Sequence, residues 1–228
     1  MVKTVFLDLD DTILDFRQAE AAAIRRTFEE MGLEADDAVL DRYHEINKRH
    51  WEMLEEGRIT RHQVKTLRFV QLFGELNVEC DGDQVWRLYE RNLAMGHYFI
   101  PGAEELLATL SSRYDPYLAS NGTASVQKSR LASAGIGKYF KALFISEEMA
   151  ANKPSPAYFE RCFAAIPDFR LETAVIVGDS LTSDIRGGRN VGMRTIWFNP
   201  EGKPARADIP ADYEFRALSE LPALLETL

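Results

Sequence analysis

Two short apolar runs, far apart in the chain, each end abruptly in acids, and few folds accommodate that twice. Near the start, Val5-Phe6-Leu7 runs into Asp8, Asp10 and Asp11, followed by Thr12. Far downstream, Val175-Ile176-Val177 runs into Gly178-Asp179-Ser180 and then Asp184. Runs this short and this rich in β-formers read as buried strands rather than helices. Like charges repel strongly in a partly dehydrated site, so acids crowded at a strand end need a cation, a shared proton or an anionic intermediate. Brought together by the fold, the two ends make a magnesium site with a carboxylate to spare as nucleophile.

The rest of the chain shows how they could meet. From about Asp15 to Gly96 the sequence is helical almost throughout, broken near Gly32-Leu33, Gly57-Arg58 and residues 77–83. Four helices are expected, starting near Phe16, Asp36, Thr60 and Asp83. After Pro101-Gly102 strands and helices alternate. Strands are expected at Pro116–Ala119, Ala142–Ile145, Thr173–Val177, Thr195–Phe198 and Tyr213–Phe215. Helices are expected at Ala103–Ser111, Ser125–Ala134, Pro156–Ala165, Ser183–Asn190 and Leu218–Thr227. Such alternation specifies a parallel sheet covered on both faces, with ligands at the carboxyl ends of its strands. The fold expected is α/β: a Rossmann-like doubly wound parallel sheet core from residues 1–14 and 98–228, with an inserted helical domain over 15–97.

Bulk properties narrow the partners. The 228-residue chain carries a net charge of −9, which argues against binding a nucleic acid polymer through its phosphates but leaves a small phosphorylated molecule open. No apolar stretch approaches the roughly 20 residues needed to cross a bilayer, and no basic segment precedes a signal-peptide core. Cys80 and Cys162 show no metal-ligand spacing and read as buried thiols in a reducing compartment. A cytoplasmic protein with no membrane partner is expected, with a monomer the simpler state.

Four clusters carry chemistry, and each has a plainer reading when taken alone. Asp8-Leu9-Asp10-Asp11-Thr12 could be a solvated turn. At a sheet edge, Asp8 is suited to attack phosphorus as a carboxylate. Asp10 is suited to give a proton to the leaving oxygen and to take one from the incoming water. Ser120-Asn121-Gly122 could simply cap a helix; with the free N–H groups of a helix start it makes an anion cradle. Lys153 could be an ordinary surface lysine, yet after a strand it would offset crowded carboxylates and orient phosphoryl oxygens. In the fourth cluster, magnesium wants an octahedron of hard oxygens. Asp8, the main-chain carbonyl of Asp10, and Asp179 could supply the protein part. Asp184 would bond from outside to a water on the ion, or else cap the helix near Ser183, and Gly187-Gly188 would break that helix.

These four elements, in this order, resemble the haloacid dehalogenase superfamily of aspartyl-phosphate hydrolases over nearly the whole chain, the insert standing where that family has its first-type cap domain. The resemblance implies Asp8 as nucleophile and Asp10 as acid and base. It implies Ser120 and Lys153 as phosphate ligands, and Asp8, Asp10 and Asp179 as Mg2+ ligands, with Asp184 behind them. The strings Asp10–Phe16, Ser120-Asn121-Gly122 with Gln127 and Arg130-Leu131, Gly178–Ile185 and Trp197-Phe198-Asn199-Pro200 are similar to the pyrimidine 5′-nucleotidase branch. That branch dephosphorylates nucleoside monophosphates such as UMP and dTMP, including non-standard ones. Ser120, where the branch often has Thr, and Ala151-Asn152, where it has a glycine-containing turn, are departures that bear on substrate preference.

Specificity would lie in the insert, where aromatic and cationic side chains are dense between Tyr43 and Arg68. Trp51 or an arginine such as Arg58 could stack on a base and Asn47 could read its polar edge, although for each one taken singly packing between helices or facing solvent is the plainer reading. The rival readings are a phosphatase of phosphoglycolate or a sugar phosphate, a metal-free dehalogenase, and a phosphate-binding regulator. Asp10 and Asp179 count against the dehalogenase. The retained nucleophile and metal ligands count against the regulator.

Overall fold

Val5, Phe6 and Leu7 are fully buried in β1 (Thr4–Leu7), a central strand of a six-stranded sheet whose strands all run parallel. The computed structural model describes residues 1–228 as two compact units, Met1–Asp15 with Phe99–Leu228, and Phe16–Tyr98. The second unit holds α1 (Phe16–Glu30), α2 (Asp37–Glu55), α3 (Arg61–Glu75) and α4 (Gly82–Leu93). The first unit continues through α5 (Ala103–Arg113), β2 (Asp115–Ser120), α6 (Ala124–Ala134), β3 (Ala142–Ile145), α7 (Ser146–Met149), α8 (Pro156–Ala164) and β4 (Ala174–Gly178). It closes with α9 (Arg186–Asn190), β5 (Arg194–Phe198), β6 (Tyr213–Phe215) and α10 (Leu221–Glu226).

Spatial order in the sheet is β3-β2-β1-β4-β5-β6, so the chain departs from β1 first to one side and later to the other. The crevice between such diverging connections is where doubly wound sheets bind ligands. Leu7 is in register with Leu118 of β2 and Val177 of β4, which brings the ends of three strands level. The apolar run of β1 is continuous because both faces are covered. By the two-residue pleat, Val5 and Leu7 join Leu107, Leu110, Val175 and Val177 on one face, while Phe6 joins Tyr117, Phe159 and Ile176 on the other. Each such fully buried side chain stabilises the fold by about 1.5–3 kcal/mol. Shifting β1 by one residue would exchange the two faces, so the pleat also fixes where Asp8 emerges.

Past Asp8 the chain turns sharply. Asp11 takes a left-handed φ of 56°, Asp11 N–H donates to Leu14 O at 2.7 Å, and Leu14 N–H donates to Leu9 O at 2.8 Å. Aspartate is among the few non-glycine residues that adopt this conformation readily. Leu14 then bridges Phe99 antiparallel, and Ile100 N–H donates to Ile13 O at 3.0 Å. The chain is therefore paired with itself at the points where it leaves the sheet unit and re-enters it.

Within the helical unit, α2, α3 and α4 open on side-chain caps. Asp36 accepts from Val39 N–H, Thr60 forms a reciprocal box with Gln63, and Asp81 accepts from Asp83 and Gln84 N–H. Its interior is aromatic: Tyr43, Phe69 and Tyr89 pack with ring centroids 5.3–5.5 Å apart, and Phe28 meets Phe73 at 5.2 Å.

The structure departs from the sequence reading at α7, which the sequence does not predict, and at the fourth motif. Ser183–Asn190 is not one helix: Leu181–Ile185 forms a wide π-type turn that runs on into α9. Ser180 Oγ accepts from Ser183 N–H at 3.2 Å and Asp184 Oδ2 accepts from Ser180 N–H at 3.2 Å, and these side-chain bonds reshape the turn. Gly187 and Gly188 do not break α9. A Cβ would lie 2.7 Å from Phe159 at Gly187 and 2.6 Å from Ile176 at Gly188, so the pair lets α9 press close against α8 and the sheet.

Candidate active site

Asp8 follows β1, Ser120 ends β2, Lys153 follows β3 and α7, and Asp179 follows β4, all at the carboxyl edge. The Lys153 ammonium is almost fully buried and has three hydrogens to place. It donates to Asp8 Oδ1 at 2.6 Å, to Asp184 Oδ1 at 2.6 Å and to Ala119 O at 2.5 Å. Lys153 thus ties three strand ends together by charge-assisted bonds. Burial by itself lowers an ammonium pKa, but Asp184 and Asp8 outweigh it and hold Lys153 above its ordinary value.

Even so, one ammonium does not neutralise the site. Carboxylate oxygens of Asp8, Asp179 and Asp184 lie within 4.8 Å of one another. Burial pushes the Asp8 carboxyl up to about 8 against the pull of Lys153, with Asp184 and Asp10 adding to the rise. Burial also holds Asp179 well above the ordinary carboxylate range, reinforced by the charges of Asp11, Asp8 and Asp184. Acids pushed up this far are short of positive charge, and three hard oxygens at this spacing fit a divalent cation of the magnesium type.

Local sequence explains how the acids are held. Asp179 N–H donates to the buried Thr12 Oγ1 at 3.1 Å, and Trp197 Nε1 donates to Asp179 O at 2.8 Å. A Cβ at position 178 would lie 2.2 Å from Asp184 Oδ2, so only glycine lets Asp184 lie against the strand end. Ser120 Oγ accepts from Gly122 N–H at 3.1 Å and from Gln127 Nε2 at 2.8 Å. With both lone pairs engaged, its own hydrogen is left to be donated, which suits a phosphoryl oxygen.

Three of the expected residues have side-chain partners that the sequence does not name. The Asn121 amide donates to Lys153 O at 2.9 Å and to Ser183 Oγ at 3.1 Å, and accepts from Lys153 N–H at 2.9 Å. Its side chain thus staples the Lys153 loop to the turn that follows β2. The Asp10 carboxylate lies outside the acid trio and accepts from Gln127 Nε2 at 2.6 Å and from Arg130 Nη1. Asn47 is buried in the helical unit, its oxygen accepting from Arg68 Nη1 at 2.6 Å and its amide donating to Glu20 Oε1 at 2.6 Å. Of the other two cap candidates, Trp51 is half-buried beneath the Arg61 guanidinium, 5.8 Å from its ring centroid, and Arg58 is exposed and pairs with Glu56 at 2.6 Å.

Sequence reasoning assigned no roles to Gln127, Arg130 and Thr12 in this site. On a helix, Gln127 and Arg130 look like polar residues of an ordinary amphipathic face; their burial was the signal, and only the tertiary fold supplies it.

Three acids and a buried lysine converging at the switch point of a doubly wound sheet are the makings of a hydrolytic site. The chain belongs to the haloacid dehalogenase-like hydrolase family, which it matches over residues 2–192. It is 40% identical to the HAD-hydrolase YfnB of Bacillus subtilis, covering 98% of this chain and 95% of that protein. A crystal structure of YfnB bound to magnesium superimposes with a TM-score of 0.95 over 98% of each chain. The chain is also 36% identical to the pyrimidine 5′-nucleotidase PynA of Streptococcus pneumoniae, covering 96% of this chain and 93% of that one. To the pyrimidine 5′-nucleotidase YjjG of Escherichia coli it is 28% identical, over 97% and 96%.

Proposed function

We propose that this enzyme is a magnesium-dependent phosphomonoesterase working through an aspartyl-phosphate on Asp8, with pyrimidine nucleoside 5′-monophosphates as its substrates. The observation that carries the reading is the Lys153 bridge from Asp8 to Asp184 beside Asp179: a nucleophilic carboxylate held by one oxygen among acids that want a cation. The nucleotide preference rests on the likeness to PynA and YjjG.

Asp8, Asp179 and the main-chain carbonyl of Asp10 would hold the cation, with Asp184 behind them; when bound, it supplies positive charge to the transferring phosphoryl oxygens. Lys153 engages Asp8 Oδ1, which leaves Oδ2 to attack phosphorus. The new O–P bond forms as the ester P–O bond breaks, and Asp10 gives a proton to the departing oxygen. A water then attacks the aspartyl-phosphate and loses a proton to Asp10. Inorganic phosphate leaves and both carboxyl groups are restored. The Ser120 hydroxyl donates to a phosphoryl oxygen during both displacements. Substrate choice is assigned to the helical unit, with Trp51 and Arg58 as its candidates.

The test is phosphate release from nucleoside monophosphates, sugar phosphates and phosphoglycolate, with magnesium and with excess EDTA. Preference for UMP and dTMP, lost in EDTA, is the expected result. Hydrolysis without that preference would remove the nucleotidase assignment and leave the phosphatase. Hydrolysis retained in excess EDTA would overturn the metal requirement, and no release from any ester would overturn the whole reading.

A further inference from the structure

The Asp10 carboxyl is gripped from one helix. Gln127 Nε2 donates to Asp10 Oδ2 at 2.6 Å, and Arg130 Nη1 donates to Asp10 Oδ1. Gln127 and Arg130 are three apart on α6, so they share one face of it. Both are essentially fully buried, Gln127 at 1% and Arg130 at 0% exposure, while the Asp10 side chain is 27% exposed. A guanidinium taken out of water loses hydration that a partner has to replace. Burying one against a carboxyl that must stay in contact with solvent and substrate is a costly arrangement for mere packing.

The grip is also internally determined. Arg130 Nη1 donates to Gln127 Oε1 at 3.0 Å, and the second Gln127 Nε2 hydrogen goes to Ser120 Oγ at 2.8 Å. Reversing the amide would set its oxygen against the Asp10 carboxylate and its NH2 against the guanidinium, so the chemistry allows one orientation. Space for the side chain is provided by Gly122, where a Cβ would fall 2.5–2.7 Å from three atoms of Gln127. The glycine of the Ser120-Asn121-Gly122 triplet thus makes room for the link between Ser120 and Asp10.

We propose that Gln127 and Arg130 are positioning residues that set the direction of the Asp10 carboxyl toward the leaving oxygen and register it, through Gln127, with the phosphate-facing hydroxyl of Ser120. The inference rests on the phosphomonoesterase reading above and extends it to two residues that do not touch the reacting atoms. A misdirected acid costs most when the leaving group needs a proton and least when it does not. An aryl phosphate with a good leaving group therefore separates positioning from general damage.

The experiment measures kcat/KM of wild type, Gln127→Leu, Arg130→Met and Arg130→Lys on uridine monophosphate and on p-nitrophenyl phosphate, with saturating magnesium. Gln127→Leu and Arg130→Met are expected to lose about 10²-fold on the nucleotide, the scale of a misplaced catalytic group. On the aryl ester the loss is expected to stay within about threefold, because nitrophenolate departs unprotonated. A burst of one nitrophenolate per enzyme molecule is expected as well, because the misdirected Asp10 also slows hydrolysis of the intermediate. Arg130→Lys, which keeps the cation but not the fork, is expected to recover part of the nucleotide rate. Equal losses on the two esters, or no loss on either, would overturn the positioning role. Wild-type enzyme inactive on both esters would instead overturn the phosphomonoesterase reading. If Arg130→Met does not fold, Gln127→Leu, which changes no charge, decides the question alone.

Discussion

Replacing Lys153 by methionine keeps the length of the side chain and deletes its charge. The ammonium it removes makes three bonds, to Asp8, Asp184 and Ala119 O, at 1% exposure. All three have an ionised donor, and the two to carboxylates are worth roughly 1.5–3 kcal/mol each. Breaking a buried pair by removing one partner costs about 3–5 kcal/mol, because the remaining charge stays buried and unpaired. For a chain of this size that is a fall in melting temperature of roughly 10 °C. The Lys153 pKa is raised in the folded protein, so its contribution is fully present at all pH values below its ordinary 10.5 and is lost only above the folded value. The deficit of Lys153→Met should grow as pH rises through about 8, where Asp8 gives up its proton. It should shrink toward pH 5, where Asp8 and Asp179 can take up protons in place of the missing charge. The assay is urea denaturation followed by circular dichroism in EDTA at the two pH values. Millimolar magnesium should restore part of the loss. Wild-type stability of the variant in EDTA at pH 8 would refute the claim that this ammonium holds the carboxylates together.

Asp8→Asn should lower phosphate release by at least about 10³-fold while leaving the fold intact, checked by steady-state rates beside a thermal melt. Gly178→Ala should cost about 1–3 kcal/mol and weaken magnesium affinity, because its Cβ would displace Asp184 from a position 2.2 Å away; calorimetric melts and magnesium titration read the two effects. Without metal, Asp8 binds its proton up to about pH 8 in the folded chain but only to about 3.8 when unfolded. Stability should thus fall as pH rises through that window, by at most about 1.4 kcal/mol per unit from this group. The slope should be shallower in Asp8→Asn and should flatten when magnesium is added, as measured by urea midpoints from pH 5 to 8. Arg68→Met should destabilise the helical unit by about 3 kcal/mol, because Asn47 and Glu20 lose their cationic end, and the amide exchange of α2 and α3 reports it.

Much of this was written in local pattern. Apolar triplets ending in acids marked β1 and β4, and Asp36 and Thr60 marked helix starts because a capping side chain acts within three residues. The carboxyl-edge site followed from strand–helix alternation, which implies a parallel sheet and hence a ligand edge. What local pattern did not carry was the partner of each side chain. The bond from Asn121 to Lys153 joins residues 32 apart, and Asn47 reads as a base contact until Arg68 and Glu20 flank it. The π-type turn at Leu181–Ile185 was illegible because Ser180 and Asp184 decide it by side-chain bonds that helix propensity ignores. The short α7, four residues long, has no period to detect.

The pairing of Leu14 with Phe99, and of Ile13 with Ile100, joins the exit and the return of the chain at one seam. A polypeptide stitched there can in principle accept another insert without any strand of the sheet changing neighbours. Excising residues 16–98 and closing the gap with a few glycines would add little loop entropy to the sheet unit, since the two ends already touch. The sheet unit and the helical unit thus occupy separable stretches of the chain, so that one can be exchanged while the other keeps its strand order.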